Sequence, residues 1–254
     1  MAQATSTTTA SDDKTGSPPA FSQTRWSLVL DLHRPSDERV DRSLHELCEC
    51  YAFAVYAYVR HSGHAPAAAS DLCLAFFAQL PDAVAGLDPR NHGRFRDFLL
   101  DRLNAFLASD WHGRSTDTVR QRLSAQLPLD AFEQRLEHDR AACTSPTQAY
   151  HRSFALVVIE GSMRRLHSEV MQVGRAGMFE VLRPFLTADP TPGAHEELAR
   201  QLGISPLTLA VAIRRLCQRF RELADDELAQ TTANAEDLER ERAAMAALLG
   251  GAPT

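Results

Sequence analysis

Apolar residues recur at intervals of three and four along most of this 254-residue chain, and this spacing constrains its fold more than any other feature. One such apolar stripe, at about residues 42–60, consists of Leu44, Leu47, Tyr51, Val55 and Tyr58. Residues that favour helices, such as Ala, Leu, Arg, Glu and Gln, are plentiful, whereas runs of β-branched residues are short. The sequence therefore predicts an all-α protein.

Further helices follow between turns. Residues 61–66 contain a glycine and a proline that end the first helix and start a second one, which runs to Pro81. The spacing predicts a third helix over about residues 93–110, and it resumes at Pro146 and continues to Phe185. Residues 112–139 are polar and show no long apolar stripe, so we interpret them as a linker.

These breaks predict two small helical domains joined by a linker. We expect a disordered tail at residues 1–20, one domain at 21–115, the linker at 116–145, a second domain at 146–232, and a helical or flexible tail at 233–254. The N-terminal residues lack the apolar stretch of a signal peptide, and no apolar run reaches the ~18 residues that span a bilayer. We therefore expect neither export nor membrane insertion.

Charge and cysteine content narrow the class of protein. The formal net charge of −6 argues against a protein that coats nucleic acid indiscriminately, but it allows a local basic face. The five cysteines are odd in number and scattered, in a chain long enough to fold without cross-links. This pattern argues against a disulfide framework and favours the reducing cytoplasm.

The segment around Gly203-Ile204-Ser205 has the organisation of a helix-turn-helix. A short helix precedes the glycine, and Ser205 is placed to cap a second, apolar helix that begins at Pro206. Such a turn needs a residue that tolerates positive φ and a cap for the helix that enters the major groove. The spacing predicts a helix-turn-helix here.

The second helix of this motif carries the candidate DNA contacts. Residues near its start, where a recognition helix reaches base edges, are Leu207, Thr208 and Ala210. Arg214, Arg215 and Arg219 follow and can hold phosphates. The spacing also fits a plain αα-hairpin whose arginines are solvated.

The third predicted helix interleaves basic and aromatic residues. Its candidates for nucleic-acid contact are Arg94, Arg96, Arg102, Asn104 and Trp111. Phenylalanines lie among them, and this mixture is typical of surfaces that stack bases and hold a backbone. The alternative is that the rings pack inward and the arginines face water.

No catalytic or metal-binding pattern stands out. His45, Cys48 and Cys50 are close in sequence, but on a helix Cys50 lies about 200° round from Cys48, so the three side chains cannot converge on a metal. A Gly-rich phosphate loop, a nucleophile elbow and a pair of catalytic carboxylates are all missing from the sequence. We expect a binding protein rather than an enzyme, without a metal or cofactor.

Five segments, taken in order, resemble a known family. They read TRWSLVL at 24–30, LHELCECY at 44–51, LAFF at 74–77, RFRDFLL at 94–100 and VAIRRL at 211–216. Together they resemble the extracytoplasmic-function (ECF) RNA polymerase sigma factors, in particular a branch that opens with Thr-Arg-Trp-Ser and is associated with Ser/Thr kinases. The likeness covers roughly residues 21–232.

The resemblance implies a transcription initiation factor with two modules. Residues 21–115 would be sigma region 2, which binds the clamp of core RNA polymerase and melts the −10 promoter element. Residues 146–232 would be sigma region 4, whose helix-turn-helix reads the −35 element. By position, residues 94–111 would be the −10 surface and 206–221 the −35 helix, while the linker would lie in the polymerase exit channel.

The chain departs from the family at the polymerase-binding helix. Relatives carry a run such as Glu-Asp-Ala-Glu-Asp-Leu-Thr-Gln-Glu-Phe-Phe, where residues 67–77 here read Ala-Ala-Ala-Ser-Asp-Leu-Cys-Leu-Ala-Phe-Phe. The resemblance places Ser70, Asp71, Cys73 and Leu74 on this polymerase-binding surface, with Asp71 as its one remaining acid. We expect weak clamp binding by the unmodified chain, because charge-assisted pairs are lost.

A Ser/Thr kinase could restore that charge by phosphorylating Ser70, since a phosphate adds about −1.5 to −2 charge beside Asp71. Ser62, or a Ser or Thr of one of the tails, is the competing site, and Ser70 also fits a plain serine near a helix terminus. Two other functions remain open. The chain could be a helix-turn-helix regulator that does not engage polymerase. It could also be an interaction protein for polymerase or a kinase, without specific DNA contact.

Overall fold

The structure is a computed structural model that describes residues 28, 31–32, 37–84, 94–109, 117–139, 143–186, 194–232 and 235–248. Every regular element in these ranges is helical, which confirms the predicted all-α fold. The predicted tail at residues 1–20 and Trp111 lie outside the described residues.

The first five helices are α1 (Asp37–His61), α2 (Pro66–Ala83), α3 (Phe95–Ala108), α4 (Asp117–Gln126) and α5 (Leu129–Asp139). They are followed by α6 (Pro146–Gln172), and by α7 (Ala176–Leu182) with a 3-10 turn at Arg183–Leu186. The chain continues with α8 (Ala194–Leu202), α9 (Pro206–Ala229) and α10 (Ala235–Leu248). No helix in the described part of the chain is long and apolar enough to cross a membrane.

The larger core forms where α1 packs along α6. Its fully buried aromatic residues are Tyr51, Tyr56, Phe77, Phe95, Tyr150 and Phe154. The Tyr51 ring stacks on Phe154 with the centroids 5.3 Å apart, and it meets Phe95 edge-on at 5.2 Å. Such ring pairs add to the stability that burial alone provides, so this part of the molecule has a dense interior.

The segment predicted as a linker contains two packed helices. The buried residues of α4 and α5 are Leu123, Leu127, Phe132 and Leu136, and they belong to the larger core. The centroid of the Phe132 ring lies 5.4 Å from that of Phe53 and 5.9 Å from that of Tyr56. The sequence pattern missed both helices because each is short and presents few apolar residues, too few to form a long stripe.

Helix α6 belongs to more than one packing cluster. Its first half joins the larger core through Tyr150 and Phe154, while Leu166 further along forms a second cluster with Phe179 and Leu223. A third cluster contains Leu182, Ala199 and Leu209. The change of packing partner therefore falls inside α6, whereas the sequence places a domain boundary before Pro146.

Candidate nucleic-acid interface

The turn between α8 and α9 has the geometry of a helix-turn-helix. Gly203 has a φ of +65°, in the left-handed region that favours glycine. Its N–H donates to the Arg200 carbonyl at 3.2 Å, and the N–H of Ile204 donates to the Ala199 carbonyl at 3.0 Å. This pair of hydrogen bonds satisfies the last carbonyls of α8 and ends the helix sharply.

Ser205 caps the second helix of the motif. Its hydroxyl accepts a hydrogen bond from the Thr208 N–H at 3.1 Å, and Pro206 occupies the first helical position. Leu209 is completely buried against Leu182 and Ala199, which fixes α9 relative to α8. The predicted cap at Ser205 is present, and α9 turns its opposite face outward.

That outward face carries most of the predicted DNA contacts, and they are exposed. Leu207 is 76% exposed and Val211 42%, and the other exposed candidates are Ser205, Pro206, Thr208, Ala210, Arg214 and Arg215. Leu207, Val211 and Arg214 are spaced by four and three, so they lie on one side of the helix. The structure therefore brings apolar groups near the start of α9 into line with the arginines that follow.

Val211 is a residue that sequence reasoning did not select. A signal for it exists, because it lies two positions after Leu209, which places it about 200° round the helix from that buried residue. Neighbouring large apolar side chains on an exposed face mark an interaction site more often than single, scattered ones do.

Arg219 differs from the other two arginines of α9. Its Nε and Nη2 donate to the two oxygens of Glu169 on α6 at 2.8 and 2.7 Å, and its Nη1 donates to Glu222 at 2.9 Å. The hydrogen bonds from Arg219 lower the pKa of the Glu169 carboxyl. This arginine ties α9 to α6, so it is a weaker candidate for phosphate contact than Arg214 and Arg215.

The candidates on α3 divide into exposed and covered residues. Arg102 is exposed above the Phe98 ring, with 5.6 Å from its guanidinium carbon to the ring centroid. Asn104 is exposed and accepts a hydrogen bond from the Tyr58 hydroxyl at 2.5 Å. Phe95 and Phe98 are buried, so these rings pack inward, as the second interpretation of the sequence expected.

Arg96 is only 2% exposed, so with α10 docked it lies beneath the surface on which the sequence places it. Its guanidinium lies 5.4 Å from the centroid of Phe154, and its Nη2 donates to Glu241 of α10 at 2.8 Å. Arg94 is three-quarters covered and pairs with Asp97 and with the same Glu241. The physical reason is the C-terminal helix, which lies over this part of α3.

The predicted polymerase-binding residues on α2 are likewise partly buried and partly exposed. Cys73 is completely buried and Leu74 nearly so, which corrects their placement on a binding surface. The Cys73 thiol points toward the Ala52 carbonyl of α1, 3.7 Å away, and burial raises the pKa of this thiol to about 12. Asp71 is 71% exposed and lies 3.6 Å from Arg120 of α4.

Ser70 is half-buried beside a tightly bonded group of side chains. Its hydroxyl lies near that of Tyr56, which donates to Glu133 of α5 at 2.6 Å. Arg60 holds both oxygens of Glu133, at 2.7 and 2.6 Å. Ser70 and Asp71 also line an open cleft of about 620 Å³ that faces the turn between α4 and α5.

Comparison with known proteins identifies no relative of this chain. No family model matches it, and neither a curated protein nor a solved structure does. Any function for the chain therefore rests on its own residues and their geometry.

Proposed function

We propose that this chain is a sigma factor of the ECF type, which binds core RNA polymerase in the cytoplasm and directs it to promoter DNA. The observation that carries the proposal is the exposed face of α9 in the helix-turn-helix at residues 194–229. The resemblance of residues 24–30, 44–51 and 94–100 to the family adds a polymerase-binding module to this DNA reader.

The face of α9 has the chemistry of a major-groove reader. Leu207, Thr208 and Val211 near its start offer apolar and hydroxyl groups, which suit thymine methyl groups and base-edge acceptors. Arg214 and Arg215 lie about two turns after Leu207, where a recognition helix meets the phosphate backbone. Because the chain carries a net charge of −6, this local basic face supplies the attraction to DNA.

The polymerase contact would form on the exposed side of α2. Asp71 is an exposed acidic side chain on this side, and the hydroxyl of Ser70 is its neighbour. A phosphate on Ser70 would add about −1.5 to −2 charge and three acceptor oxygens, which can pair with arginines of a partner protein. A Ser/Thr protein kinase is therefore the expected regulator.

The test is co-purification of the full chain with core RNA polymerase, and transcription from a target promoter, with and without the kinase. Ser70→Ala should abolish the kinase-dependent gain in both measurements, and Ser70→Glu should restore part of it. Ser62→Ala tests the competing site, because Ser62 is exposed in the turn just before α2, and it should keep the kinase-dependent gain if Ser70 is the site. Transcription by Ser70→Ala equal to that of the parent, with the kinase present, would contradict the phosphorylation switch.

A second candidate function is a helix-turn-helix regulator that does not engage polymerase. The burial of Cys73 and Leu74 and the shortage of acids on α2 favour it. Sequence-specific binding to duplex DNA without co-purification of core polymerase, in either phosphorylation state, would identify this alternative.

A further inference from the structure

The C-terminal helix α10 supplies an anion to the arginines of α3. Glu241 is completely buried, and its Oε2 accepts hydrogen bonds from Arg94 Nη1 at 3.1 Å and from Arg96 Nη2 at 2.8 Å. Two guanidinium groups that converge on one carboxylate oxygen form an anion-binding site. Here the anion comes from a residue 145 positions further along the chain.

Helix α10 is held in place from several sides. Met245 is buried in the larger core, and Arg152 of α6 donates to the Leu248 carbonyl at 2.8 Å. Arg242 donates to Asp225 of α9 at 2.7 Å. The helix therefore contacts both the larger core and the end of the helix that carries the DNA-reading face.

The buried ion pair is incompletely hydrogen-bonded. Among the described residues, Oε1 of Glu241 and both Nε and Nη1 of Arg96 have no hydrogen-bond partner. Burial raises the pKa of the Glu241 carboxyl, although the two arginines act in the opposite direction. Buried charges with unmade hydrogen bonds are costly, so a ligand with more acceptor oxygens competes well for the same guanidinium groups.

We propose that α10 is an autoinhibitory latch, in which Glu241 occupies the site where Arg94 and Arg96 bind the phosphates of single-stranded DNA. The inference rests on the proposed function, which supplies melted promoter DNA as the ligand. A strand cannot reach Arg96 while α10 covers it, so strand binding and docking of α10 exclude each other. By linkage, the strand must weaken the docking of α10 by the same factor by which α10 weakens strand binding.

The experiment compares full-length variants for two properties: affinity for a short labelled single-stranded DNA across a salt series, and hydrogen exchange of residues 235–248. Glu241→Gln removes the competing charge. Met245→Glu places a charge in the core under α10 and leaves both arginines intact. Glu236→Gln is the matched control, since it makes the same charge change on the same helix at a side chain that is 84% exposed.

We expect Glu241→Gln and Met245→Glu to lose protection of α10 and to bind the strand roughly tenfold more tightly at low salt, as two added phosphate contacts would allow. The salt slope should steepen by about 1.4, which is 0.7 for each contact to a single strand. Glu236→Gln should match the parent. The double variant Arg94→Gln/Met245→Glu should keep only about half of the gain in strand affinity that Met245→Glu shows alone.

In the unmodified chain, excess strand should increase hydrogen exchange of α10, a measurement that needs no variant to fold. Strand affinity equal to that of Glu236→Gln in a variant whose α10 exchanges freely would overturn the latch. Unchanged exchange of α10 in the unmodified chain at saturating strand would do the same. Neither measurement needs polymerase, so the latch and the proposed sigma-factor function can fail separately.

Discussion

The helix bundle of the larger core and the helix-turn-helix differ in how they use apolar residues. The bundle buries six aromatic side chains completely, whereas the third cluster, which holds α8 against α9, is built on Leu182, Ala199 and Leu209. In the helix-turn-helix, Leu207 and Val211 lie on the surface instead. Stability follows buried apolar area, so the bundle should be the more stable region and the helix-turn-helix the less stable one.

Charged residues show the same contrast. The Arg60–Glu133 and Arg96–Glu241 pairs of the bundle are mostly or fully buried. The ion pair Arg200–Glu197 of the helix-turn-helix is largely exposed, and pairs of that kind contribute little to stability. Breaking a buried pair by removing one partner is far more damaging, so the two regions should respond very differently to mutation.

The largest effect is expected from Phe154→Ala. The ring is buried at the centre of the bundle and stacks on Tyr51, so its loss should cost about 3–5 kcal/mol in the free energy of unfolding. Urea denaturation measures this. Phe106→Ala, at a half-buried ring, should cost clearly less, and equal losses would contradict the dense core described for α1 and α6.

Leu209→Ala should cost about 2–3 kcal/mol, the lower part of the range for buried leucines, because a thin cluster can partly collapse into the space. Hydrogen exchange should rise in residues 194–229 and stay unchanged in α1. Leu207→Ala, two residues away and exposed, is the control. It should leave the free energy of unfolding and the hydrogen exchange of residues 194–229 unchanged. A uniform rise across the chain would show that the two regions unfold as one unit.

The bundle should lose stability in acid through His151. Burial, assisted by Arg96, lowers the pKa of this histidine to about 4. The unfolded state, with a pKa near 6.5, then binds more protons, so stability falls as the pH drops from about 6.5 to about 4. Glu241 acts in the opposite direction, because its raised pKa favours the folded state at low pH.

His151→Gln isolates the histidine contribution. We expect its stability to fall less than that of the parent over the same pH range, by about 1–2 kcal/mol once solvent screening of the partly buried ring is taken into account. Denaturant titrations at a series of pH values provide the comparison. Parallel pH profiles for the two proteins would mean that His151 is not the group responsible.

The smallest effects concern Arg214 and Arg215. If each holds one phosphate, changing either to Ala should lower the salt slope of duplex binding by about 0.9 and weaken binding to all sequences alike. Arg219→Ala should change the slope less, since Glu169 already holds this side chain. An unchanged slope after both substitutions would favour a plain αα-hairpin with solvated arginines.

Local chemistry explains what could be predicted from the sequence alone. The helical period indicates an all-α chain, and Gly203 and Ser205 indicate a sharp turn with a capped helix. These features depend on hydrogen bonds and φ preferences within about five residues, so the surrounding fold need not be known. The exposed start of α9 follows from the same local pattern, because the residues opposite Leu209 must face outward.

The tertiary structure decided which helix covers which face. Arg96 looks like a surface arginine in the sequence, but Glu241 and Phe154 enclose it. Arg219 pairs with Glu169, which is fifty positions away in the sequence. Cys73 packs against α1. Helical spacing tells which side of a helix a residue occupies, but not what packs against that side. That depends on contacts between distant segments, whose energies arise only after the chain has folded.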